Sequence, residues 1–303
     1  MTTCGSGDAL ITLIIALLRS LRPKHWTKNL LVFAGYLFTI QQRHAPGTPL
    51  RVLAAFGLFC AVTGATYIFN DVADAERDRK HPRKCKRPIA SGAVSVRAAL
   101  TFALVLVAAA VWASYRLDLY FGLLVTGYFL LTTAYSASLK HVVIVDLLTI
   151  AAGFVIRAAA GAVVIHVQIS PWLLVCTTLL ALFLGLAKRR GELVSLEDGH
   201  EHRRTLSEYS APMLDQMLTI SAAACLMGYF LYTFTSGSTT ASHAHLPRMM
   251  ITVPFVIYGL FRYLFLIHTR NAGGSPEQVL LEDKPLLIDV VLYVIAAVVA
   301  LRM

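Results

Sequence analysis

The chain has 303 residues, of which 57% are hydrophobic and only 15% are charged, and its formal net charge is +10. Soluble globular domains usually contain about 25% charged residues, so this composition excludes a soluble protein. Apolar runs of about 17–22 residues recur along the chain, which is the length that crosses a hydrocarbon core of about 30 Å. We therefore predict an all-α, polytopic membrane protein that forms a single domain over residues 1–303.

Nine apolar segments are predicted to cross the membrane. Residues 1–21 precede them and are predicted to form a surface helix or a poorly ordered segment, because the apolar run Ala9–Leu18 is short and is followed by its basic cluster. The first predicted span is the weakest, since it is short and follows a polar stretch. The predicted spans are 28–41, 52–70, 95–114, 119–138, 142–164, 172–188, 213–235, 249–269 and 285–301.

Lysine and arginine are distributed unequally between the two sides that these spans define. Of the 27 basic residues, 21 lie on the side of the N-terminal segment and of the even-numbered connections, 5 lie on the other side, and Arg157 lies within a span. Basic residues collect on the cytoplasmic side of membrane proteins. We therefore predict a multi-pass protein of the inner (plasma) membrane with cytoplasmic charged loops, and no nucleic-acid partner. The five cysteines are scattered and predict neither a disulfide framework nor a zinc site.

The most charged stretch, residues 70–92, directly follows the second predicted span. Asp71, Asp74 and Asp78 are spaced three and four apart, so a continuing helix would carry all three carboxylates on one face. Such a stripe repels itself unless a cation lies between the charges, and Mg²⁺ binds carboxylates together with substrate phosphates. A solvated, salt-bridged helix end is the alternative. We predict that Asp71, Asp74 and Asp78 are catalytic, that they bind Mg²⁺ with Asn70, and that Lys84, Lys86 and Arg87 bind phosphates.

The pattern Asn70-Asp71-x-x-Asp74-x-x-x-Asp78 at the end of a membrane helix resembles the first aspartate-rich motif of the UbiA superfamily of intramembrane prenyltransferases. Nine spans with long loops after the second and sixth also match that superfamily. The resemblance implies a UbiA-like helical bundle with an active-site cavity that faces the cytoplasm. Further matching motifs are Arg22-Pro23-x-x-Trp26-x-Lys28-Asn29, His81-Pro82-x-Lys84-x-x-Arg87-Pro88, Leu139-Lys140-His141, Ile156-Arg157-Ala158 and Lys188-Arg189-x-x-Glu192.

The loop after the sixth span distinguishes branches of this superfamily. Aromatic prenyltransferases carry a second aspartate-rich motif there, whereas this chain reads Lys188-Arg189-Arg190-Gly191-Glu192-Leu193 and has no D-x-x-x-D. Basic side chains bind a lipid monophosphate directly. Together with this loop, the matching motifs quoted above resemble the branch that transfers 5-phosphoribose from 5-phosphoribosyl 1-diphosphate to decaprenyl phosphate, and the resemblance implies a role in making the precursor of cell-wall arabinan. For Arg203 and Arg204, later in this loop, a purely topological role is the alternative.

Arg157 lies inside the fifth predicted span, where a guanidinium is costly unless it is paired. Asp146 shares its helix face but lies about 16 Å away along the axis, so a cavity with polar groups or a phosphate would be needed to join them. Pairing with the carbonyl groups of another helix is the alternative. The full set of predicted substrate-binding residues is Lys28, Asn29, Lys84, Lys86, Arg87, Tyr135, Lys140, Arg157, Lys188, Arg189 and Glu192.

The predicted reaction is Mg²⁺-dependent transfer of 5-phosphoribose to a polyprenyl phosphate, with inversion at the anomeric carbon. The partners are therefore 5-phosphoribosyl 1-diphosphate and the lipid phosphate, and a homo-oligomer is compatible with the sequence. One alternative is a UbiA-type enzyme that joins a prenyl diphosphate to an aromatic or glycerol phosphate acceptor. An ion or solute transporter is a more distant alternative, because a transport pathway would place ionisable residues in several spans, whereas here nearly all of them lie at one surface.

Overall fold

A computed structural model describes residues 6–82, 84–194, 208–235, 248–270 and 276–302, and every regular element in these ranges is helical. The predicted all-α class is confirmed. The helices are α1 (Ser6–Ser20), α2 (Ala34–Phe38), α3 (Thr48–Ala73), α4 (Ala75–Lys80), α5 (Val96–Leu117), α6 (Leu119–Ala137), α7 (Val145–Val164), α8 (Pro171–Val194), α9 (Ala211–Thr235), α10 (Val253–Arg270), α11 (Pro276–Glu282) and α12 (Lys284–Arg302).

Eight helical segments in the described ranges are long and apolar enough to cross a membrane. Seven are α3, α5, α6, α7, α8, α9 and α12, and the eighth runs over Arg248–Thr269, where a short 3₁₀ turn leads into α10. These eight correspond in order to the second to ninth predicted spans. The protein is therefore a multi-pass membrane protein.

The first predicted span, 28–41, differs from the other eight because it is not one continuous α-helix. It consists of a 3₁₀ helix over Pro23–Phe33 followed by the five residues of α2. A 3₁₀ helix rises about 2.0 Å per residue, so the two pieces together cover about 30 Å, the thickness of a hydrocarbon core. Arg22, before this segment, contacts Asp71 at the end of α3, whereas the Phe38 ring packs on Tyr232 near the end of α9.

These contacts define two ends of the bundle. The charged end contains Arg22, the C-terminus of α3 and the N-terminus of α7. At the opposite end Arg51, near the start of α3, donates to the carbonyl oxygens of Leu117 at 3.0 Å and Val164 at 3.1 Å. Consecutive spans therefore run in alternating directions, and every polar cluster described below except that of Arg157 lies at the charged end.

The 3₁₀ segment packs unusually close to α7, and glycine makes this approach possible. A Cβ atom at Gly161 would overlap the carbonyl oxygen of Val32, and one at Gly35 would lie 2.9 Å from the Cα of Ala162. Gly161 therefore fixes how close the two backbones come. This close approach brings Asn29 of the 3₁₀ helix within hydrogen-bonding reach of Arg157 on α7.

We expect Gly161→Ala to lower the free energy of unfolding by about 3 kcal/mol or more, because the methyl group meets backbone atoms that cannot rotate away. Thermal unfolding of the purified protein in detergent measures the change. Gly127→Ala on α6 is the matched control, since a Cβ there meets nothing within 4 Å, and its effect should stay within about 1 kcal/mol. Equal stability of the two variants would contradict this account of the packing.

Candidate active site

Two buried carboxylates meet at the charged end, where α3 passes into α4. Asp71 and Asp78 are each 3% exposed, and a single nitrogen of Arg87, Nη1, donates to both, at 3.1 Å to Asp71 and 2.5 Å to Asp78. Arg22 forms a second ion pair with the same oxygen of Asp71, Oδ1. Two carboxylates and two guanidinium groups therefore form one compact cluster with no net charge.

The three aspartates do not form the single stripe that their spacing predicts. α3 ends at Ala73 and α4 begins at Ala75, with Asp74 at the junction (φ −95°, ψ 3°). The Asp74 N–H donates to the Asn70 carbonyl oxygen, and the Asp78 N–H donates to the Asp74 carbonyl oxygen, both at 2.9 Å. Helical hydrogen bonding therefore continues across this break. As a result Asp71 and Asp78 face inward, while the half-exposed Asp74 carboxylate lies 3.8 Å from Arg77.

The donor set of this cluster fits a divalent cation. The position between Asp71 and Asp78 already holds a positive group, the Arg87 nitrogen, and half-buried Asn70 lies one residue before Asp71. The described residues contain no group of three or more His, Cys, Asp or Glu side chains arranged as a complete metal site. Mg²⁺ does not require one, because it takes one or two carboxylates and fills its other positions with water and substrate phosphate oxygens.

Basic side chains surround the two carboxylates. The chain after α4 turns back through a short 3₁₀ helix, Lys84–Lys86, and thereby returns Arg87 to Asp71 and Asp78. The side chains of Lys84 and Lys86 are exposed, and neither makes an ion pair with a described residue. They are therefore available to bind the phosphates of an incoming substrate.

A second cluster lies at the junction of α6, α7 and α8. Arg189, 1% exposed, donates from Nε to Asp146 at 2.7 Å, from Nη1 to Glu192 at 2.5 Å and from Nη2 to Tyr135 at 3.1 Å. Asp146 is fully buried and also accepts from Tyr209 at 3.4 Å. Burial raises the pKa of Tyr209, so its hydroxyl keeps the proton that it donates to Asp146.

Three residues that the sequence predicts to bind substrate, Arg189, Glu192 and Tyr135, thus contact one another in this structure. Each of the three nitrogens of the Arg189 guanidinium donates to a protein acceptor, and Glu192 and Tyr135 are two of those acceptors. Lys188, the preceding residue, is 38% exposed at its side chain and lies 3.9 Å from Glu192. Lys140, between α6 and α7 at the charged end, and Lys28, which directly precedes Asn29 on the 3₁₀ segment, are likewise partly buried.

Arg157 belongs to a third, deeper cluster and does not meet Asp146. Its Nε donates to Asn29 at 2.9 Å, its Nη1 to the Gly153 carbonyl at 3.1 Å and its Nη2 to Tyr128 at 2.6 Å. The guanidinium also lies over the ring of Tyr128, with 4.7 Å to the centroid. In the described part of the chain no carboxylate lies within ion-pair distance of Arg157, which has neutral partners instead.

The depth of this cluster separates it from the two aspartates. Asn29 donates to Cys60 of α3 at 3.3 Å, and Cys60 precedes Asp71 by eleven residues. At 1.5 Å per residue along α3, Cys60 and Asp71 lie about 16 Å apart along the helix axis, so the Arg157 cluster lies about that far from the two aspartates. Arg157 is therefore paired with neutral groups, but these are the Asn29 and Tyr128 side chains and a carbonyl of its own helix, instead of the carbonyls of another helix that the alternative interpretation names.

The sequence pattern does not predict Arg22 or Asp146 as site residues. Arg22 appears in the matched motif, but only the fold shows that its side chain reaches Asp71, 49 positions further along the chain. Asp146 was considered only as a partner for Arg157. Glu197, Asp198, Arg203 and Arg204 lie outside the described residues.

The sequence was compared with known proteins. Residues 29–279 match the profile of the UbiA prenyltransferase family. The decaprenyl-phosphate phosphoribosyltransferase of Corynebacterium glutamicum is 33% identical over 294 residues, which cover 94% of this chain and 86% of that protein. The protein of the same name from Mycolicibacterium smegmatis is 32% identical over 283 residues, which cover 90% of this chain and 88% of that protein.

The helical bundle is also similar to solved structures. A UbiA homolog from Archaeoglobus fulgidus, solved bound to GPP and Mg²⁺, superimposes with a TM-score of 0.71 and 18% sequence identity. The match covers 95% of this chain and 100% of that one. At this level of identity the likeness concerns the fold, and it confirms the predicted UbiA-like bundle.

Proposed function

The chain belongs to the UbiA prenyltransferase family, and we propose that it transfers 5-phosphoribose from 5-phosphoribosyl 1-diphosphate to decaprenyl phosphate. The observation that carries this proposal is the similarity, over about nine-tenths of the chain, to relatives named for that reaction. The sequence motifs agree, since the first aspartate-rich motif is present and no D-x-x-x-D follows the sixth predicted span. The proposed active site faces the cytoplasm, where the basic residues collect.

The proposed reaction exchanges one C–O bond for another at the anomeric carbon of ribose. The bond to the diphosphate leaving group breaks with its electron pair, and positive charge develops on the ribose ring, as in other glycosyl transfers. An oxygen of the lipid phosphate forms the new bond from the opposite face, which predicts inversion. That oxygen is already ionised at neutral pH, so no strong general base is required, and positioning and electrostatics supply the rate.

Asp71 and Asp78 are the residues that would hold Mg²⁺, assisted by Asn70 and by Asp74 from the turn. When bound, Mg²⁺ would neutralise the charge that develops on the departing diphosphate. Arg87 already lies against both carboxylates, and exposed Lys84 and Lys86 follow the same turn. We assign these three basic residues to the phosphates of the donor.

The lipid phosphate is assigned to Lys188 and Lys140 at the charged end and to Lys28 on the 3₁₀ segment. Arg189, Glu192 and Tyr135 would act through position, because their contacts with one another fix the end of α8 that carries Lys188. Arg157 and Asn29 would hold the 3₁₀ segment against α7 and thereby place Lys28, the residue before Asn29. These assignments give the buried residues a positioning role and leave phosphate contact to the more exposed lysines.

Incubation of the purified protein with labelled 5-phosphoribosyl 1-diphosphate and decaprenyl phosphate tests the proposal. We expect lipid-linked phosphoribose with Mg²⁺ and none when the metal is removed by a chelator. Parallel reactions with a prenyl diphosphate and aromatic or glycerol phosphate acceptors test the second candidate, which shares the first aspartate motif. A prenylated acceptor without lipid-linked phosphoribose would replace the proposal with that candidate.

A further inference from the structure

We infer that Arg22 is a metal-dependent substrate-binding residue, which neutralises Asp71 in the metal-free protein and turns to the donor's phosphates when a divalent cation binds. The inference rests on the proposed function for the identity of the donor. Its first half, competition between Arg22 and a metal for Asp71, depends only on the contacts of this chain.

Charge balance at the two-carboxylate cluster is the first argument. Asp71 and Asp78 carry two negative charges, and Arg22 and Arg87 supply two positive ones within direct ion-pair distance. A divalent cation bound to these carboxylates would leave the cluster with an excess of two positive charges. Since like charges at such distances repel strongly where water is scarce, one guanidinium must move away as the metal enters.

The contacts indicate that Arg22 is the group that moves. Arg87 bridges Asp71 and Asp78, whereas the described ion pair of Arg22 is with Asp71 alone. Both guanidiniums share Oδ1 of Asp71, so a metal that binds this oxygen competes with both of them. Arg87 can keep its contact with Asp78, whereas Arg22 loses the one carboxylate that it contacts among the described residues. The side chains of Arg22 and Arg87 are 24% and 28% exposed, so either could move, and the number of ion pairs decides between them.

The backbone of Arg22 supports the same conclusion. Arg22 has φ 52° and ψ 65°, a left-handed conformation that is uncommon for a residue other than glycine, and it directly precedes Pro23. A residue before proline favours extended backbone, so its surroundings must hold Arg22 in place. Two contacts do so: the ion pair with Asp71, and the Tyr67 ring, whose centroid lies 4.8 Å from the guanidinium carbon. When the Arg22 guanidinium is released from Asp71, it keeps its contact with the Tyr67 ring and can turn about that contact.

A titration of Mn²⁺ into the full-length protein in lipid nanodiscs, with free Mn²⁺ followed by electron paramagnetic resonance, tests the competition without any turnover. We expect Arg22→Gln to bind Mn²⁺ about tenfold more tightly than the unmodified chain when no donor is present, within the usual range of coupling between two sites. Lys24→Gln removes the same charge from an exposed position two residues away and should leave the affinity unchanged. Unchanged affinity in Arg22→Gln would overturn the inference.

Steady-state kinetics test the second half of the inference, which is that Arg22 binds the donor's phosphates once the metal is bound. With saturating metal we expect Arg22→Gln to raise the KM for 5-phosphoribosyl 1-diphosphate about tenfold or more while kcat changes less, and Arg22→Lys to recover part of this loss. A KM equal to that of the unmodified chain would show that Arg22 does not meet the donor. If the protein transfers no phosphoribose at all, the proposed function fails, whereas the Mn²⁺ titration still decides whether Arg22 competes with the metal.

Discussion

Replacing Asp71 with asparagine is expected to lower the rate of phosphoribosyl transfer by about a thousandfold. The variant keeps the shape of the side chain but removes the charge that would bind Mg²⁺, and loss of one electrostatic group in an active site costs about 10²–10³ in rate. Initial rates with labelled donor measure the effect. Asp78→Asn should behave in the same way, because Arg87 contacts both carboxylates and places them in one site.

Glu76→Gln is the matched control for this prediction. Glu76 lies on α4 five residues after Asp71, carries the same charge and is exposed. Its replacement should leave at least half of the activity. Size-exclusion profiles and thermal unfolding of both variants separate a lost metal site from a misfolded protein. More than one tenth of normal activity in a folded Asp71→Asn protein would argue against the carboxylates as metal ligands.

Replacing Asp146 with asparagine is expected to destabilise the protein by about 3–5 kcal/mol. Of the two counter-charges that contact the Arg189 guanidinium, which is 1% exposed, the change removes the fully buried one, and a buried charge that loses such a partner has about this cost. Glu192 remains, but it is partly exposed. Unfolding of the purified protein by graded denaturant in detergent gives the free-energy difference.

The neighbouring ion pair supplies the control. Arg190 donates to Asp215 at 2.6 Å, but the Asp215 side chain is 37% exposed, so Asp215→Asn should cost about 1 kcal/mol or less. The double variant Asp146→Leu with Arg189→Met removes both buried charges and should recover much of the stability. A double variant as unstable as Asp146→Asn would mean that packing, rather than charge pairing, determines the role of this cluster.

Local features of the sequence determined the class of the protein and the position of its candidate site. The apolar runs predict the eight long helices because a helix that crosses lipid must satisfy its backbone internally and present apolar side chains to the bilayer. The charged stretch after the second predicted span locates the candidate metal site, because carboxylates at a membrane edge suit Mg²⁺ and phosphates. These inferences depend only on neighbours along the chain.

Only the tertiary structure decided which charges meet. The spacing of Asp71, Asp74 and Asp78 predicts one stripe, but the break at Asp74 turns this residue outward and leaves Asp71 and Asp78 as the pair. Similarly, the partner of Asp146 is Arg189, 43 residues away on a neighbouring helix, instead of Arg157 on its own helix. Ion pairs between helices depend on how the helices pack, and that packing is set by contacts far apart in sequence, such as Gly161 against Val32.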